Sequence, residues 1–131
     1  MTKENYQILV IDDNEDILFM IKTMLEMKGY RISAKDNPDD IESFIEQTRP
    51  DVILMDLLLS GSDGREICKK IRENKLISHI PVVMISALPD AAISCKDAGT
   101  DYFLGKPFEM NDLFETINNA LSLILKSKIS I

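Results

Sequence analysis

The sequence predicts an α/β domain of three layers, in which a doubly wound, five-stranded parallel sheet lies between two layers of helices. Four short apolar runs, at 8–11, 52–55, 82–85 and 102–105, each stop at a polar residue. Continuous apolar runs of this length are typical of parallel strands, because helices cover both faces of a parallel sheet. Amphipathic helical patterns separate the runs, and this alternation of strand and helix indicates a doubly wound sheet.

Five strands and five helices follow from these patterns. In chain order they are a strand at 8–11, a helix at about 15–28, a strand at 31–34, a helix at about 39–47, a strand at 52–56, a helix at about 65–73, a strand at 82–86, a helix at about 91–98, a strand at 102–106 and a helix at about 109–125. Gly29 and Gly99 stand where the first and fourth helices should end, and Asp90 is a plausible cap for the fourth. A glycine-containing loop at 60–64 precedes the third helix.

The length and composition favour one domain without a membrane span. The 131 residues suit a single domain over 1–131, with 126–131 as a short C-terminal tail. A net charge of -7 and the lack of a basic stripe argue against nucleic-acid binding. The start of the chain is polar, so we expect a cytoplasmic protein. The spacing of Cys68, Cys95 and His79 predicts two packed thiols and a surface histidine, with no metal site among them.

The polar residues at the strand ends are the candidate site. Ligands bind beyond the carboxyl ends of the strands in an open parallel sheet, so these side chains should meet at one edge. They are Asp12, Asp13, Asp56, Ser86 and Lys106. Like charges in one pocket raise one another's pKa or require a cation, and an oxygen-only ligand set favours Mg²⁺ as that cation. Asp56, flanked by this cation and by Lys106, would suit nucleophilic attack on phosphorus.

Simpler interpretations of the same residues stay open at this point. Asp12 and Asp13 could cap a helix, Asp56 could be a solvated strand end, Ser86 a local hydrogen bonder and Lys106 a surface charge. A small-molecule phosphatase that uses an aspartyl phosphate would need a second acid two residues after Asp56, where the chain has Leu58. A flavin carrier would need a phosphate-binding loop after the first strand, and Asp12-Asp13 would repel phosphate there.

The chain resembles the receiver domains of two-component response regulators over nearly its whole length. The motifs that carry the resemblance are Val10-Ile11-Asp12-Asp13, Met55-Asp56-Leu57, Asp63-Gly64, Val83-Met84-Ile85-Ser86-Ala87 and Lys106-Pro107-Phe108. The resemblance implies a flavodoxin-like sheet with strand order 2-1-3-4-5. It also implies that Asp56 accepts a phosphoryl group from a phosphohistidine of a histidine kinase or a histidine phosphotransfer protein.

The same resemblance assigns roles to the other site residues. Asp13, Asp56 and the backbone carbonyl of Leu58 would bind Mg²⁺ directly, and Asp12 would act largely through water. Ser86 and Lys106 would hold the phosphoryl oxygens, and the Lys106-Pro107 peptide would be cis. Ser86 and Phe103 would form a conformational switch that signals to protein partners.

We therefore expect a stand-alone receiver that is not an enzyme beyond assisting its own phosphorylation and dephosphorylation. The alternative is a pseudo-receiver that acts as a constitutive protein-interaction module. The intact acidic cluster favours the first.

Several positions are informative within this resemblance. Ser60 stands where the family usually has proline, which should loosen the loop, and Ser86 replaces the commoner threonine. The segment from 86 to 99 is about two residues shorter than usual, so the fourth helix should be short or displaced.

Leu58 and Leu88 should line the approach to Asp56 and hinder water. On a helical wheel Phe19 falls opposite the apolar face of the first helix, and the family docks its helical phosphodonor on that helix.

Overall fold

The computed structural model describes residues 6–129, with side chains up to residue 124, and shows a parallel sheet covered by helices on both faces. The strands are β1 (Gln7–Ile11), β2 (Arg31–Lys35), β3 (Val52–Asp56), β4 (Leu58–Leu59), β5 (Ser62–Asp63), β6 (Val82–Ser86) and β7 (Tyr102–Gly105). The helices are α1 (Glu15–Met27), α2 (Ile41–Thr48), α3 (Gly64–Glu73), α4 (Ala91–Asp97) and α5 (Met110–Ile129). The main sheet has the order β2-β1-β3-β6-β7, which is the predicted 2-1-3-4-5 order once the short strands β4 and β5 are left out.

The loop predicted at 60–64 is largely a two-stranded hairpin. Leu58 pairs with Asp63 and Leu59 pairs with Ser62 in antiparallel register. The two residues of the turn, Ser60 and Gly61, have positive φ angles of 26° and 84°, as a type I′ hairpin turn requires. The usual sequence signal for this turn is Asn-Gly or Asp-Gly, and Ser-Gly is a weaker one, which is why the prediction missed it.

The last helix is longer than predicted. It continues to Ile129, so most of the segment 126–131 that was expected to form a tail is helical. The predicted end at about Leu125 followed the end of the apolar face. No glycine or proline follows Leu125 to stop the backbone, so the helix runs past its own apolar face.

The core consists of two apolar clusters, and successive residues of each strand alternate between them. Leu9 and Ile11 belong to a cluster with residues of α2, α3 and α4, whereas Ile8 and Val10 belong to one with residues of α1 and α5. Strands β1, β3, β6 and β7 pair in parallel, and their carboxyl ends therefore lie along one edge. This arrangement places the predicted polar strand ends side by side.

Two arginines of α3 tie the neighbouring elements together. The guanidinium of Arg72 donates to the backbone oxygens of Gly99 (2.8 Å), Ser78 (2.9 Å) and Ile80 (2.7 Å), and to Asp101 Oδ2 (2.7 Å). Asp101 Oδ2 also accepts from the Val82 amide at 2.9 Å.

Arg65 has a similar role at the start of α3. It forms a forked ion pair with Asp63 in the hairpin and donates from Nη1 to Ser94 Oγ of α4 at 2.9 Å. The hairpin, α3 and α4 are therefore joined through one side chain.

The remaining side chains singled out in the sequence are structural or exposed. Cys68 and Cys95 are free and buried, and burial raises the pKa of the Cys68 thiol to about 11. His79 lies on the surface. None of the helices in the described part of the chain combines the length and the apolar composition needed to cross a membrane.

Candidate functional site

Three carboxylates meet at the carboxyl ends of β1 and β3. Asp12 is fully buried and Asp56 is 8% exposed, whereas Asp13 is exposed. One oxygen atom from each of the three residues lies within 4.8 Å of the others. Asn14, and neither of the two aspartates before it, caps α1, because its Oδ1 accepts from the amides of Asp16 and Ile17. The helix-capping interpretation of Asp12 and Asp13 is therefore wrong.

One oxygen of Asp12 is buried without a hydrogen-bond partner. Oδ1 accepts from the Asn14 amide at 2.9 Å, but Oδ2 has no donor within hydrogen-bond distance. Its nearest cation is Lys106 Nζ at 3.6 Å, which is an ion-pair distance and too long for a hydrogen bond. A buried carboxylate oxygen in this condition fits a site that takes a further cation.

Lys106 supplies the positive charge of the site. Its Nζ is 3.2 Å from Asp56 Oδ1, and its backbone amide donates to the Ser86 carbonyl at 2.8 Å, which anchors the segment after β7 to the end of β6. The Lys106-Pro107 peptide bond is cis, as the resemblance implies.

The charges of the cluster move the pKa values of two aspartates in opposite directions. Burial raises the pKa of Asp56; the charge of Lys106 opposes this effect, and the charge of Asp12 adds to it. The Ser60 amide is the largest cause of the lowered pKa of Asp13, against a smaller contribution from desolvation, and the Ser60 hydroxyl adds to the lowering. The carboxylate predicted to be the nucleophile is therefore the one whose ionised form the fold penalises.

Ser86 lies at the end of β6, and Phe103 lies inside the neighbouring strand β7. Ser86 is 4% exposed, and its Oγ accepts from the Leu88 amide at 3.0 Å. Phe103 pairs in register with Met84, is half-buried and packs on the cluster formed with α2, α3 and α4. Tyr102 packs on the other cluster, and its hydroxyl donates to the Asn119 carbonyl at 3.3 Å. Their roles in a switch stay predictions.

Serine at position 60 makes contacts that proline could not make. Its amide and its hydroxyl both donate to Asp13 Oδ2, each at 3.0 Å. The structure therefore gives no support to a loosened loop after Asp56. The absence of proline by itself predicts a looser loop, and only the position of the hairpin beside Asp13 shows the two hydrogen bonds that are gained.

The two leucines that were predicted to line the approach to Asp56 are partly exposed. Leu58 in β4 is 57% exposed and Leu88 after β6 is 46% exposed. Their predicted position beside the approach to Asp56 stays a prediction. Coordination by the Leu58 carbonyl stays a prediction.

The first helix presents apolar side chains beside the site. Phe19 is 71% exposed, as its place on the helical wheel predicts. A groove of about 410 Å³ lies next to Lys106 and is lined by Ile17, Met20, Ala87, Lys106, Pro107 and Phe108. Phe19 borders a separate depression with Leu18, Lys22 and Phe44.

Comparison with known proteins is consistent with this architecture. The response regulator receiver domain model matches residues 8–118. The phosphate regulon transcriptional regulatory protein PhoB of Pseudomonas aeruginosa is 32% identical over 116 residues, covering 87% of this chain and 51% of that protein. The nisin biosynthesis regulatory protein NisR of Lactococcus lactis is 37% identical over 113 residues, covering 82% and 47% respectively. The chain thus spans about half the length of these relatives.

Solved structures agree with the sequence matches. A two-component response regulator from Clostridium difficile superposes with a TM-score of 0.82 at 28% identity, covering 90% of this chain and 97% of that one. The receiver domain of a sensor histidine kinase from Pseudomonas aeruginosa superposes with a TM-score of 0.81 at 28% identity, covering 89% and 98%. The latter was solved with a magnesium ion coordinated in its active-site cleft.

The fold and the acidic cluster are those of a receiver domain. With the family model matching most of its length, the chain belongs to the response regulator receiver domain family of two-component signalling.

Proposed function

We propose that this receiver accepts a phosphoryl group on Asp56 from a phosphohistidine of a histidine kinase or a histidine phosphotransfer protein. The observation that carries the proposal is the arrangement around Asp56. Lys106 Nζ is 3.2 Å from its Oδ1, and the carboxylates of Asp12 and Asp13 complete a pocket of hard oxygen ligands. Phosphoryl transfer needs chiefly alignment and charge neutralisation, and both can be supplied here.

The residues present fit a magnesium ion. The ligand set consists of carboxylate oxygens, and Asp12 Oδ2 is buried without a hydrogen-bond donor. Asp12, Asp13, Asp56 and the Leu58 carbonyl would hold the ion, some of them through water. When bound, Mg²⁺ would neutralise charge on the carboxylates and on the incoming phosphoryl oxygens.

The reaction forms one bond and breaks another. A carboxylate oxygen of Asp56 forms a bond to phosphorus while the phosphorus–nitrogen bond of the phosphohistidine breaks, and the histidine nitrogen keeps the electron pair. Lys106 pairs with a phosphoryl oxygen, which relieves part of its present pairing with Asp56. The Ser86 hydroxyl, which now accepts from the Leu88 amide, can rotate to donate to another phosphoryl oxygen.

The conformational change that signals to partners involves Ser86 and Phe103, which lie on the neighbouring strands β6 and β7. Movement of Ser86 toward the phosphoryl group vacates space next to β7, and Phe103 turns further inward from its half-buried position. Phenylalanine has no polar atom to bury, so this inward turn loses no hydrogen bond. The switch shifts a balance between two packings, and protein partners recognise the surface that results.

The donor docks beside the site, along α1. The groove next to Lys106 and the exposed Phe19 supply apolar surface for a helical partner. That the receiver acts alone, without an output domain, and in the cytoplasm stays a prediction, as does the absence of enzymatic activity on other substrates.

Incubation with acetyl phosphate and Mg²⁺, followed by intact mass, tests the proposal. We expect a phosphate-sized gain in mass for the wild type and for Asp97→Asn, which changes an exposed aspartate on α4. The gain should vanish in Asp56→Asn. A gain that persists in Asp56→Asn would place the phosphoryl group elsewhere. A wild type that gains nothing and binds no Mg²⁺ would favour the pseudo-receiver.

A further inference from the structure

Ser60 occupies the turn of the hairpin that follows Asp56. Its φ angle of 26° and the 84° of Gly61 give both turn residues the left-handed conformation. Proline, whose ring holds φ near about −65°, cannot adopt this conformation. The turn can therefore adopt this geometry only because position 60 is not a proline.

The turn brings Ser60 against Asp13, a residue far away in sequence. The Ser60 amide and hydroxyl both donate to Oδ2 of Asp13, each at 3.0 Å. Asp13 is exposed, so burial in the core does not fix its side chain. The two hydrogen bonds restrain it while one of its oxygens stays within 4.8 Å of those of Asp12 and Asp56.

We propose that Ser60 is a positioning residue that holds the Asp13 carboxylate in place to bind Mg²⁺. This inference rests on the proposed function, because it assumes that the cluster binds the ion. An ionised carboxylate has about four acceptor sites on its two oxygens, so the two bonds from Ser60 to Oδ2 leave capacity for a cation. Partners that orient a metal ligand in this way typically contribute about 10–100-fold to affinity.

The contribution of Ser60 comes from preorganisation. An exposed aspartate samples several rotamers, and a bound ion would have to select one of them at an entropic cost. The hairpin has already selected a rotamer by means of two donors, the amide and the hydroxyl of Ser60, in a turn that its own strand pairing holds. Because the backbone amide is one of the two donors, any residue other than proline at position 60 can keep one of the two hydrogen bonds to Asp13.

Isothermal titration with Mg²⁺ alone tests this inference in three variants. Ser60→Gly keeps the amide and suits the positive φ angle but lacks the hydroxyl, and we expect binding about two- to fivefold weaker than in the wild type. Ser60→Pro lacks both donors, and we expect binding at least about tenfold weaker. Ser62→Ala changes a serine in the same hairpin and should bind as the wild type does.

The outcomes separate this inference from the proposed function. A wild type that binds no Mg²⁺ would overturn the assumption about the cluster. A wild type that binds, with equal or tighter binding by Ser60→Pro, would overturn the role of Ser60 alone. Unfolding midpoints of all three variants show whether a loss of Mg²⁺ binding comes from a loss of folded protein. If Ser60→Pro fails to fold, equal binding by Ser60→Gly and the wild type refutes the contribution of the hydroxyl.

Discussion

Lys106 Nζ lies 3.2 Å from Asp56 Oδ1 but 3.6 Å from Asp12 Oδ2, so one ammonium group is shared unequally between two buried carboxylates. The sharing leaves the cluster with an excess of negative charge, because Asp13 contributes a third carboxylate within 4.8 Å. The metal-free site is therefore held together against electrostatic repulsion. This condition has measurable consequences for stability.

Asp56→Asn should stabilise the metal-free protein at neutral pH. The folded state raises the pKa of Asp56, chiefly by burial, so it holds the proton more tightly than the unfolded state does. Wild-type stability therefore falls as pH rises from about 3.8 through the raised folded value, and stays lower above it. We expect Asp56→Asn to exceed the wild type by about 1–2 kcal/mol in the free energy of unfolding at pH 7.

Urea unfolding without divalent ions, at pH 7 and near pH 3, measures the effect. The difference between Asp56→Asn and the wild type should shrink at the acidic pH, where both side chains are neutral. Added Mg²⁺ should reduce the difference in the free energy of unfolding between Asp56→Asn and the wild type at pH 7, because the ion stabilises the wild type by binding to its folded state. A wild type that is the more stable of the two at neutral pH without metal would contradict this prediction.

Gly64→Ala should destabilise the fold next to the site. A Cβ atom at position 64 would lie 2.9 Å from Met84 Sδ, 3.0 Å from the Asp56 carbonyl oxygen and 3.2 Å from Leu57 Cα. The methionine can yield, but the backbone of Asp56 cannot move without displacing the candidate nucleophile. We expect the free energy of unfolding to fall by about 1–3 kcal/mol and acetyl phosphate labelling to slow.

Chemical unfolding and the labelling rate test Gly64→Ala together. Gly105→Ala is the matched control, because a Cβ atom there meets nothing within 4 Å. Equal stability of Gly64→Ala and the wild type would show that α3 can retreat from β3.

Arg72→Ala should be strongly destabilising although Arg72 lies far from the chemistry. Its guanidinium bonds three carbonyl oxygens and Asp101, and its side chain is 24% exposed. Removal of the guanidinium leaves these acceptors without one of their donors, and we expect the free energy of unfolding to fall by about 2–4 kcal/mol. The free energy of unfolding of Arg72→Lys should lie between those of the wild type and Arg72→Ala, because lysine keeps the positive charge but lacks the several donors of the guanidinium group.

Thermal or urea unfolding gives the comparison for Arg72. Lys69→Ala changes an exposed residue of the same helix and should stay within about 0.5 kcal/mol of the wild type. If Arg72→Ala matched Lys69→Ala, the links from Arg72 to the loops around β6 and β7 would not contribute measurably to stability.

Leu58→Asn should shorten the lifetime of phosphorylated Asp56. Leu58 is 57% exposed in the strand that follows β3, and an apolar side chain there hinders the approach of water. An amide can orient water instead, and we expect dephosphorylation to be about three- to tenfold faster. The dephosphorylation rate is measured from the decrease of the phosphorylated species with time by intact mass.

Leu76→Asn serves as the control for that experiment. Leu76 is an exposed leucine in the segment after α3, outside the acidic cluster, and its replacement should leave the decay unchanged. Decay of Leu58→Asn that is equal to or slower than that of the wild type would remove the proposed role of Leu58.

Phe19→Ala should weaken docking of the phosphodonor without weakening the fold. The ring is 71% exposed, so its removal should change stability by less than about 0.5 kcal/mol. We expect about fivefold weaker binding of the cognate donor, the range of an aromatic contact at an interface. Met27→Ala removes another exposed apolar side chain from the same helix and should bind as the wild type does. Unchanged affinity and transfer rate in Phe19→Ala would exclude a docking role.

The fold could be predicted from the sequence because its strands are buried on both faces. Runs such as Val82–Ile85 carry their signal in every residue, and glycines at 29 and 99 mark helix ends in the left-handed conformation. Both of these signals are local. The site could be predicted for a related reason, since a parallel sheet brings the ends of its strands to one edge whatever the loops do.

The features that could not be predicted leave no periodic pattern or characteristic spacing in the sequence. The pairing of Leu58–Leu59 with Ser62–Asp63 takes two residues on each side, too few to give a periodic pattern. The bonds from Ser60 to Asp13 join loops after different strands, and no spacing in the sequence signals them. Asp90 occupies the cap position of α4, as predicted, but its side chain makes no capping bond.

Two arginines of α3 hold α4 by side-chain hydrogen bonds. Ser94, in its middle, accepts from Arg65, and Gly99, just past its end, accepts from Arg72. Its first turn has no such anchor in Asp90 and follows directly on the Ser86–Leu88 segment of the site. That turn is held instead by Ala91, which is 4% exposed and whose amide donates to the Leu88 carbonyl at 3.3 Å, so a displacement of the Ser86–Leu88 segment would reach α4 through its own backbone.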